Sequence, residues 1–467
     1  MIRKLFIYGC CMGMFINFAC KKEQIATGAG VYLFTSQDSI KFDTVFTATV
    51  QITQSFKIFN NNTQPVQISR LTLGGGDQSA FKINVNGTPG TSFNDILLQD
   101  KDSIYVFVTV RLPASAQNSP FNALDSIEFQ YNGQTGKVLL SAVGQNAFFL
   151  QTQTLQKDTT WTSARPIVLM GDVHVGSQAT LHIEKGTRIY SQLNARLWVD
   201  GRLLALGGYN KGEQILFTNN RLDRPYSDLP GSWGGIVFGQ QSQGNKLQCV
   251  TLRNAINGIT DTSRTDPISE NEPPNIMLEA CQIGNASKQA VLLQNSTARI
   301  INCLLYNSGI ALRLMGGRYD LIYSTIASYS NDHVYHTDPG LYLAGQGSNG
   351  EQYPLQLTAV NNIIYGDNTS LDELYFDEMS SGKIKADFQN CLLKAVSQPA
   401  VGTYKDCIWN EDPGFAVIDN QRFVYDFRVL GNSAAVHQGR PINIQFDLNH
   451  ELRSGSTPTI GCLEFKD

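Results

Sequence analysis

Charge, histidine and helical periodicity are all scarce in this chain. Of its 467 residues only 16% are Asp, Glu, Lys or Arg, and the formal net charge is -4. No basic surface suited to nucleic acid is indicated. Sustained 3.6-residue periodicity is missing beyond the first twenty residues, which leaves an all-β chain. Cysteine is absent from residues 31-149, so no antibody-type disulfide forms there and that region must rest on its apolar faces. No Gly-x-Ser-x-Gly elbow, Cys-x-x-Cys zinc pair, phosphate loop or dinucleotide fingerprint occurs, and no cofactor is implied.

What is present begins at the N-terminus. Arg3 and Lys4 precede an apolar run from Leu5 to Phe18 that stops at Ala19-Cys20. The run is short for a bilayer span, and its basic start and closing cysteine read as a lipoprotein signal peptide over residues 1-19. Lipid would attach at Cys20, although Asn17 stands where lipobox patterns usually place Leu. Residues 20-30 read as a polar tether. The expected location is the cell envelope, at the outer membrane, with the membrane reached through the lipid anchor.

Residues 31-150 carry about seven short strand-like runs: Phe42 to Phe46, Ser55 to Phe59, Val66 to Leu73, Phe81 to Val85, Ser103 to Val110, Ser126 to Tyr131 and Lys137 to Val143. That number suits an immunoglobulin-like β-sandwich. The alternating segment Gln54 to Phe59, its Asn-rich turn and the returning Val66 to Ile68 resemble the second hairpin of immunoglobulin-like domains of the abnormal-spindle type.

From about residue 160 the texture becomes a repeating coil. Cys281 and Cys303 lie 22 residues apart in matching segments, a further 22 leads to Thr325, and the pattern returns at Asn361 to Tyr365 and Asn390 to Leu393. A strand-rich period in the low twenties indicates a solenoid in which each coil covers the apolar face of the last. Stacked coils would place Asn or Cys in ladders at tight corners, with Cys281 and Cys303 as packing residues. Cys407 and Cys462 lie outside the strand-like runs, and a disulfide between them is one option in an oxidising compartment.

The segments Pro166 to Tyr190, Leu197 to Gly208, Gln214 to Arg221 and Gly231 to Phe238 resemble the N-terminal coils of lipoproteins with a pectin-lyase-like right-handed parallel β-helix, common in Bacteroidetes. Phe446 to Arg453 and Pro458 to Glu464 resemble their closing segment. The resemblance implies such a helix over residues 160-467. It does not bring catalysis with it: the Asn-Thr-Asp, Asp-Asp, Gly-His-Gly and Arg-Ile-Lys signatures of polygalacturonases are absent.

Candidate chemistry gathers in interruptions of the coil, at Asn219 to Ser232, Asp261 to Pro274 and Asn331 to Pro354. The last holds His333, Tyr335, His336, Asp338, Tyr342 and Tyr353, aromatic and polar groups suited to recognising a glycan or an envelope protein. His333, His336 and Asp338 have metal-ligand chemistry, but their spacing is no metal motif and a solvated loop is the plainer reading. Asp372, Glu373, Asp377 and Glu378 are candidates for calcium or for a carboxyl pair, again against a plain solvated turn. His174, His182 and Glu184 read as outward strand positions rather than an acid/base set. Trp198 and Trp233 read as packing rather than sugar platforms. The chain therefore reads as a non-catalytic binding or adhesion module, the alternative being a polysaccharide lyase or glycoside hydrolase acting on the β-helix face.

Overall fold

The computed structural model describes residues 24-466, apart from residues 29, 48-51, 114-117, 119, 262-263, 265-267, 270 and 348-349. Cys20 and the apolar run before it lie outside the described residues. The chain divides into two compact units, Met1–Asn146 and Ala147–Asp467.

The first unit is a sandwich of two five-stranded sheets. One contains Phe34–Thr35, Ile52–Phe59, Ser103–Val110, Phe81–Val85 and Thr88–Gly90; the other contains Ser39–Phe46, Gln134–Gln145, Phe121–Tyr131, Val66–Leu73 and Ser92–Leu98. Each of the seven expected runs lies in one of these strands. Alternation explains why: Phe56 and Ile58 on one strand and Val106 and Val108 on its partner point inward and are at most 1% exposed. Val66–Leu73 switches phase at a bulge, so that Val66, Ile68, Leu71 and Leu73 all reach the core. Ser92–Leu98 was not foreseen, because only Leu98 of its seven residues is buried and its alternation is broken.

The second unit is a three-sided parallel β-helix. An eleven-stranded parallel sheet from Phe148–Leu150 to Ile408–Trp409 makes the first face. The second and third faces merge into one seventeen-stranded sheet, because Gln289–Ile301 and Ile310–Ile322 each run unbroken around the corner between them. Along the second face Val173, Leu197, Ile236, Ile259, Val291, Leu312, Leu341 and Leu374 stand in one inward column, none more than 1% exposed. Each such side chain contributes about 1.5–3 kcal/mol on burial. Stacking thus converts the short apolar runs of the sequence into one continuous core.

The corner leading into the first face is built from left-handed residues. Ala280, Asn302, Tyr323, Asn361, Asn390 and Asp406 have φ between 46 and 60°, a region Asn and Asp tolerate better than most residues. The next residue in each coil points inward, giving the column Cys281, Cys303, Ser324, Asn362, Cys391 and Cys407. Cys281 and Cys303 are fully buried there, with their successors Gln282 and Leu304 in register. Thr325 pairs with Leu304, so that coil takes one residue fewer and Ser324 rather than Thr325 continues the column. A second ladder joins Asn219, Asn254 and Asn285, whose side-chain amides link at 2.8 Å.

The C-terminal segment lies along the outside of the first face, where Phe427, Leu448 and Cys462 pack against Cys249, Ala280, Leu304 and Ala327. Arg453 pins it: one guanidinium nitrogen donates to Asn302 Oδ1 at 2.9 Å and to the Gly461 carbonyl at 3.0 Å, and the guanidinium sits 3.9 Å above the Tyr323 ring. Asp447 accepts hydrogen bonds from the backbone N–H groups of Asn449, Glu451 and Glu464, each at 2.8 Å.

Two expectations are corrected here. Cys407 and Cys462 are both free thiols. Cys462 sits on the coil of Thr325, to whose hydroxyl its N–H donates at 3.0 Å, whereas Cys407 opens the strand three places further along the sheet. Three spacings amount to roughly 14 Å, beyond the ~7 Å reach of a disulfide. The interruption from Asn331 to Pro354 is also not one loop. Leu341–Ala344 is an ordinary strand of the second face, in register with Leu312 to Met315, because Leu341 and Leu343 supply inward side chains.

Candidate functional site

The strand Ile363–Gly366 of the first face ends at a turn that delivers Asp367 to the surface. Two residues before it, Tyr365 begins an outward column that Lys394 and Asn410 continue, one from each successive coil. Together with Tyr329, Thr369, Val396 and Asp412 they line an open cleft of about 580 Å³. Lys394 Nζ lies 4.9 Å from the centre of the Tyr365 ring and donates to the Gly366 carbonyl. Asn410 holds the preceding coil by accepting the Ala395 N–H at 3.0 Å.

Behind Asp367 lies a buried charge relay of fixed geometry. His336 Nδ1 is 3.0 Å from Asp367 Oδ1, and Nε2 is 3.1 Å from Glu373 Oε2. The first contact is an aligned hydrogen bond; the second is an ion-pair contact off the N–H direction, and Glu373 Oε1 has no hydrogen-bond partner. Glu373 Oε2 also accepts the Gly340 N–H at 3.1 Å, and the Ser330 N–H donates to Asp367 Oδ2 at 2.9 Å. Gly366 leaves the space for this set. A Cβ there would stand 2.1 Å from Glu373 Oε1 and 2.3 Å from His336 Cε1.

Electrostatics follow from that packing. Burial alone would lower the pKa of His336, but the contacts with Asp367 and Glu373 outweigh it and raise the value to about 9. Burial likewise opposes charge on Asp367, yet the His336 and Ser330 hydrogen bonds leave its pKa lowered. Burial raises that of Glu373. At neutral pH the imidazole is therefore a cation held between carboxylates. Its effect is to keep Asp367 ionised and fixed on the cleft wall.

The sequence-derived candidates fall in several places. His333 is half-buried and stacks on Phe423 with ring centres 5.0 Å apart. Tyr335 is 73% exposed, Asp338 is exposed, and His336 is buried, so it belongs to the relay rather than to an accessible surface. Tyr342 lies on the strand Leu341–Ala344, 5.2 Å from Tyr375 and with the Arg313 guanidinium 4.6 Å above it. Tyr353 follows that strand, where its hydroxyl donates to Glu351. Four of the six thus precede this strand, Tyr342 lies on it and Tyr353 follows it.

The acidic run divides as well. Asp372 and Glu373 precede the strand Leu374–Phe376, whereas Asp377 and Glu378 follow it. Asp372 accepts the Val396 N–H at 2.5 Å and Asp377 accepts the Ser380 hydroxyl at 2.6 Å. No group of three His, Cys, Asp or Glu side chains able to hold a metal is found among the described residues. His174 lies on the second face and His182 with Glu184 on the third, since Val173–Val175 and Thr180–Glu184 occupy different sides of the coil. Trp233 is fully buried and donates to the Arg253 carbonyl at 2.9 Å. Trp198 faces outward and donates to Asp200 at 3.0 Å, with His174 stacked 6.0 Å away.

Asp367, Lys394, Asn410 and Asp412 were missed by sequence reasoning. The available signal was Tyr365-Gly366-Asp367-Asn368 directly after a repeat strand, since polar residues at a solenoid corner are where rigid stacking meets solvent. A depression of about 620 Å³ on the sandwich, lined by Leu124, Leu139 and Leu140 with Lys41, Lys137 and Asp125, offers less chemistry. Its Asp125 carboxylate is already engaged by the Ser79 hydroxyl and the Gly75 N–H.

No protein-family model matches the chain, and no curated protein matches it. Among solved structures it is similar over part of its length to a family 123 glycoside hydrolase from Clostridium perfringens, at 12% identity and TM-score 0.18, over 24% of this chain and 25% of that one. It is similar also to the ASH/PapD-like domain of human CEP192, at 14% identity and TM-score 0.17, over 27% of this chain and 91% of that one. The E. coli chaperone DraB matches at 12% identity and TM-score 0.17, over 24% of this chain and 54% of that one. The chain spans a quarter of the hydrolase's length, and likenesses this slight bear on neither fold nor function.

Proposed function

We propose that this is a lipid-anchored protein of the cell envelope, tethered through Cys20 at the outer membrane, whose β-helix binds a glycan without cleaving it. The observation that carries the reading is the cleft at the end of the first face, where Tyr329 and Tyr365 stand among Asp367, Lys394, Asn410 and Asp412. Aromatic rings offer an apolar face for a sugar ring, and ionised or amide groups around them accept and donate to hydroxyls. The relay behind Asp367 keeps that carboxylate ionised, which removes it as a general acid and leaves it as an acceptor for sugar hydroxyls. The anchor is supported by the basic start, apolar run and Cys20 of the sequence.

The reading is tested by incubating the full chain, in detergent, on a glycan array. Wild type should retain a defined set of oligosaccharides. Tyr365→Ala should lose at least tenfold in affinity for them, and Lys394→Met should change which acidic sugars are retained. Equal binding by wild type and Tyr365→Ala would remove the cleft from the account. Because two carboxylates, Asp367 and Asp412, line one cleft, a hydrolase is the second reading. Release of reducing ends that Asp412→Asn abolishes would make it the better one.

A further inference from the structure

The last two coils carry a cysteine pair for which the proposed binding role has no use. Leu392 and Ile408 are register partners, which sets Cys391 and Cys407, each one residue earlier, side by side in the inward corner column. Coils stack about 4.8 Å apart, within the roughly 4.4–6.8 Å between Cα atoms that a disulfide requires. The two side chains are oriented alike. Cys391 Sγ is 3.3 Å from the Gln389 carbonyl and Cys407 Sγ is 3.5 Å from the Lys405 carbonyl, in each case two residues back along its own coil. Cys391 is fully buried, but Cys407 is partly exposed because the strand it leads into, Ile408–Trp409, is the last of the first face. Cys281 and Cys303 share the register and the orientation, at 3.4 and 3.3 Å from Glu279 and Ile301 carbonyls. Both are fully buried, so no reagent reaches them without unfolding.

We infer that Cys391 and Cys407 form a redox pair that closes into a disulfide between the last two coils when a small-molecule disulfide reaches Cys407. The Cys407 thiolate attacks one sulfur of the reagent, forming a mixed disulfide and expelling one thiolate. Cys391 then attacks the Cys407 sulfur, the second reagent thiol leaves, and the proton of Cys391 passes to it. Two protein thiols are oxidised and one small disulfide is reduced to two thiols. The chemistry of the entering residue agrees with its place: a hydrogen bond from Cys391 lowers the pKa of Cys407, despite its burial, and thiolate is the reactive form. The consequence is a staple joining Asn390–Trp409 coils where the solenoid ends. This rests on no part of the glycan reading, and how far the pair is closed follows the redox poise around it.

The test uses the full chain in detergent, treated with oxidised glutathione, alkylated and digested without reductant. Mass spectrometry should find the peptides of Cys391 and Cys407 joined, with Cys281 and Cys303 still alkylatable only after unfolding, and dithiothreitol should reverse the link. Cys391→Ser should instead hold glutathione on Cys407, which shows that Cys391 is the resolving thiol. An unreactive Cys407, a glutathione adduct that persists on Cys407 in wild type, or a link from Cys407 to Cys462 would each overturn the inference.

Discussion

At the scale of the residue, His336 shows how burial decides a role that spacing alone leaves open. Its place between His333 and Asp338 in the sequence suggested an accessible polar loop, yet its side chain is 1% exposed and lies between Asp367 and Glu373. Removing it should leave Glu373 as a buried carboxylate without its cation, and His336→Gln should cost ~3–5 kcal/mol in a urea melt. The pH dependence has a definite sign. Folding raises the pKa of His336 from 6.5 to about 9, so the stability it contributes is whole below pH 6.5 and is lost as pH rises through about 9. The melting temperature of wild type should fall across that window. A His336→Gln variant should show a flatter profile there, and an equal fall in both would place the titration elsewhere.

At the scale of the element, the clearest case of a local rule broken inside the solenoid is Asp261. It occupies the inward column of the second face between Phe238 and Leu293, both fully buried. Burial raises its pKa from 3.8 to about 7, in spite of hydrogen bonds from Ser296 and Asn275. A raised carboxyl contributes stability below its unfolded pKa and loses it as pH rises through the folded value, here between 3.8 and about 7. Asp261→Asn should therefore be more stable than wild type at pH 8 by chemical denaturation, and lower stability at that pH would contradict the assignment. The C-terminal segment makes the complementary point. Arg453 and Glu464 form an ion pair with side chains 2% and 4% exposed, and Arg453→Met should cost ~3–5 kcal/mol by stranding the carboxylate. It should also open the segment to limited proteolysis while the stacked strands stay intact.

At the scale of the whole molecule, the repeat was legible because stacking imposes one pattern many times over. Short apolar runs, Asn and Cys at corners and a period in the low twenties all report the same constraint, and so the all-β class, the sandwich strands and the β-helix could be read. Sites were less legible. The cleft takes Asp367, Lys394 and Asp412 from residues far apart in sequence but adjacent in the stack, and local spacing carries no sign of that convergence. The strand Leu341–Ala344 was hidden inside a supposed insertion because only Leu341 and Leu343 mark it. The anchor proposal belongs to this scale too: Cys20→Ala should move the protein from the membrane pellet to the soluble fraction, and a wild type lacking an acylated N-terminal peptide would contradict it.

The central claim is that the end of the first face binds a glycan and leaves it whole. Its most direct test is a crystal structure of the protein soaked with the tightest oligosaccharide from the array. The account predicts an intact sugar against Tyr365, with hydroxyls reaching Asp367 and Asn410. A cleaved sugar in that cleft, or an intact one bound only elsewhere on the chain, would contradict it.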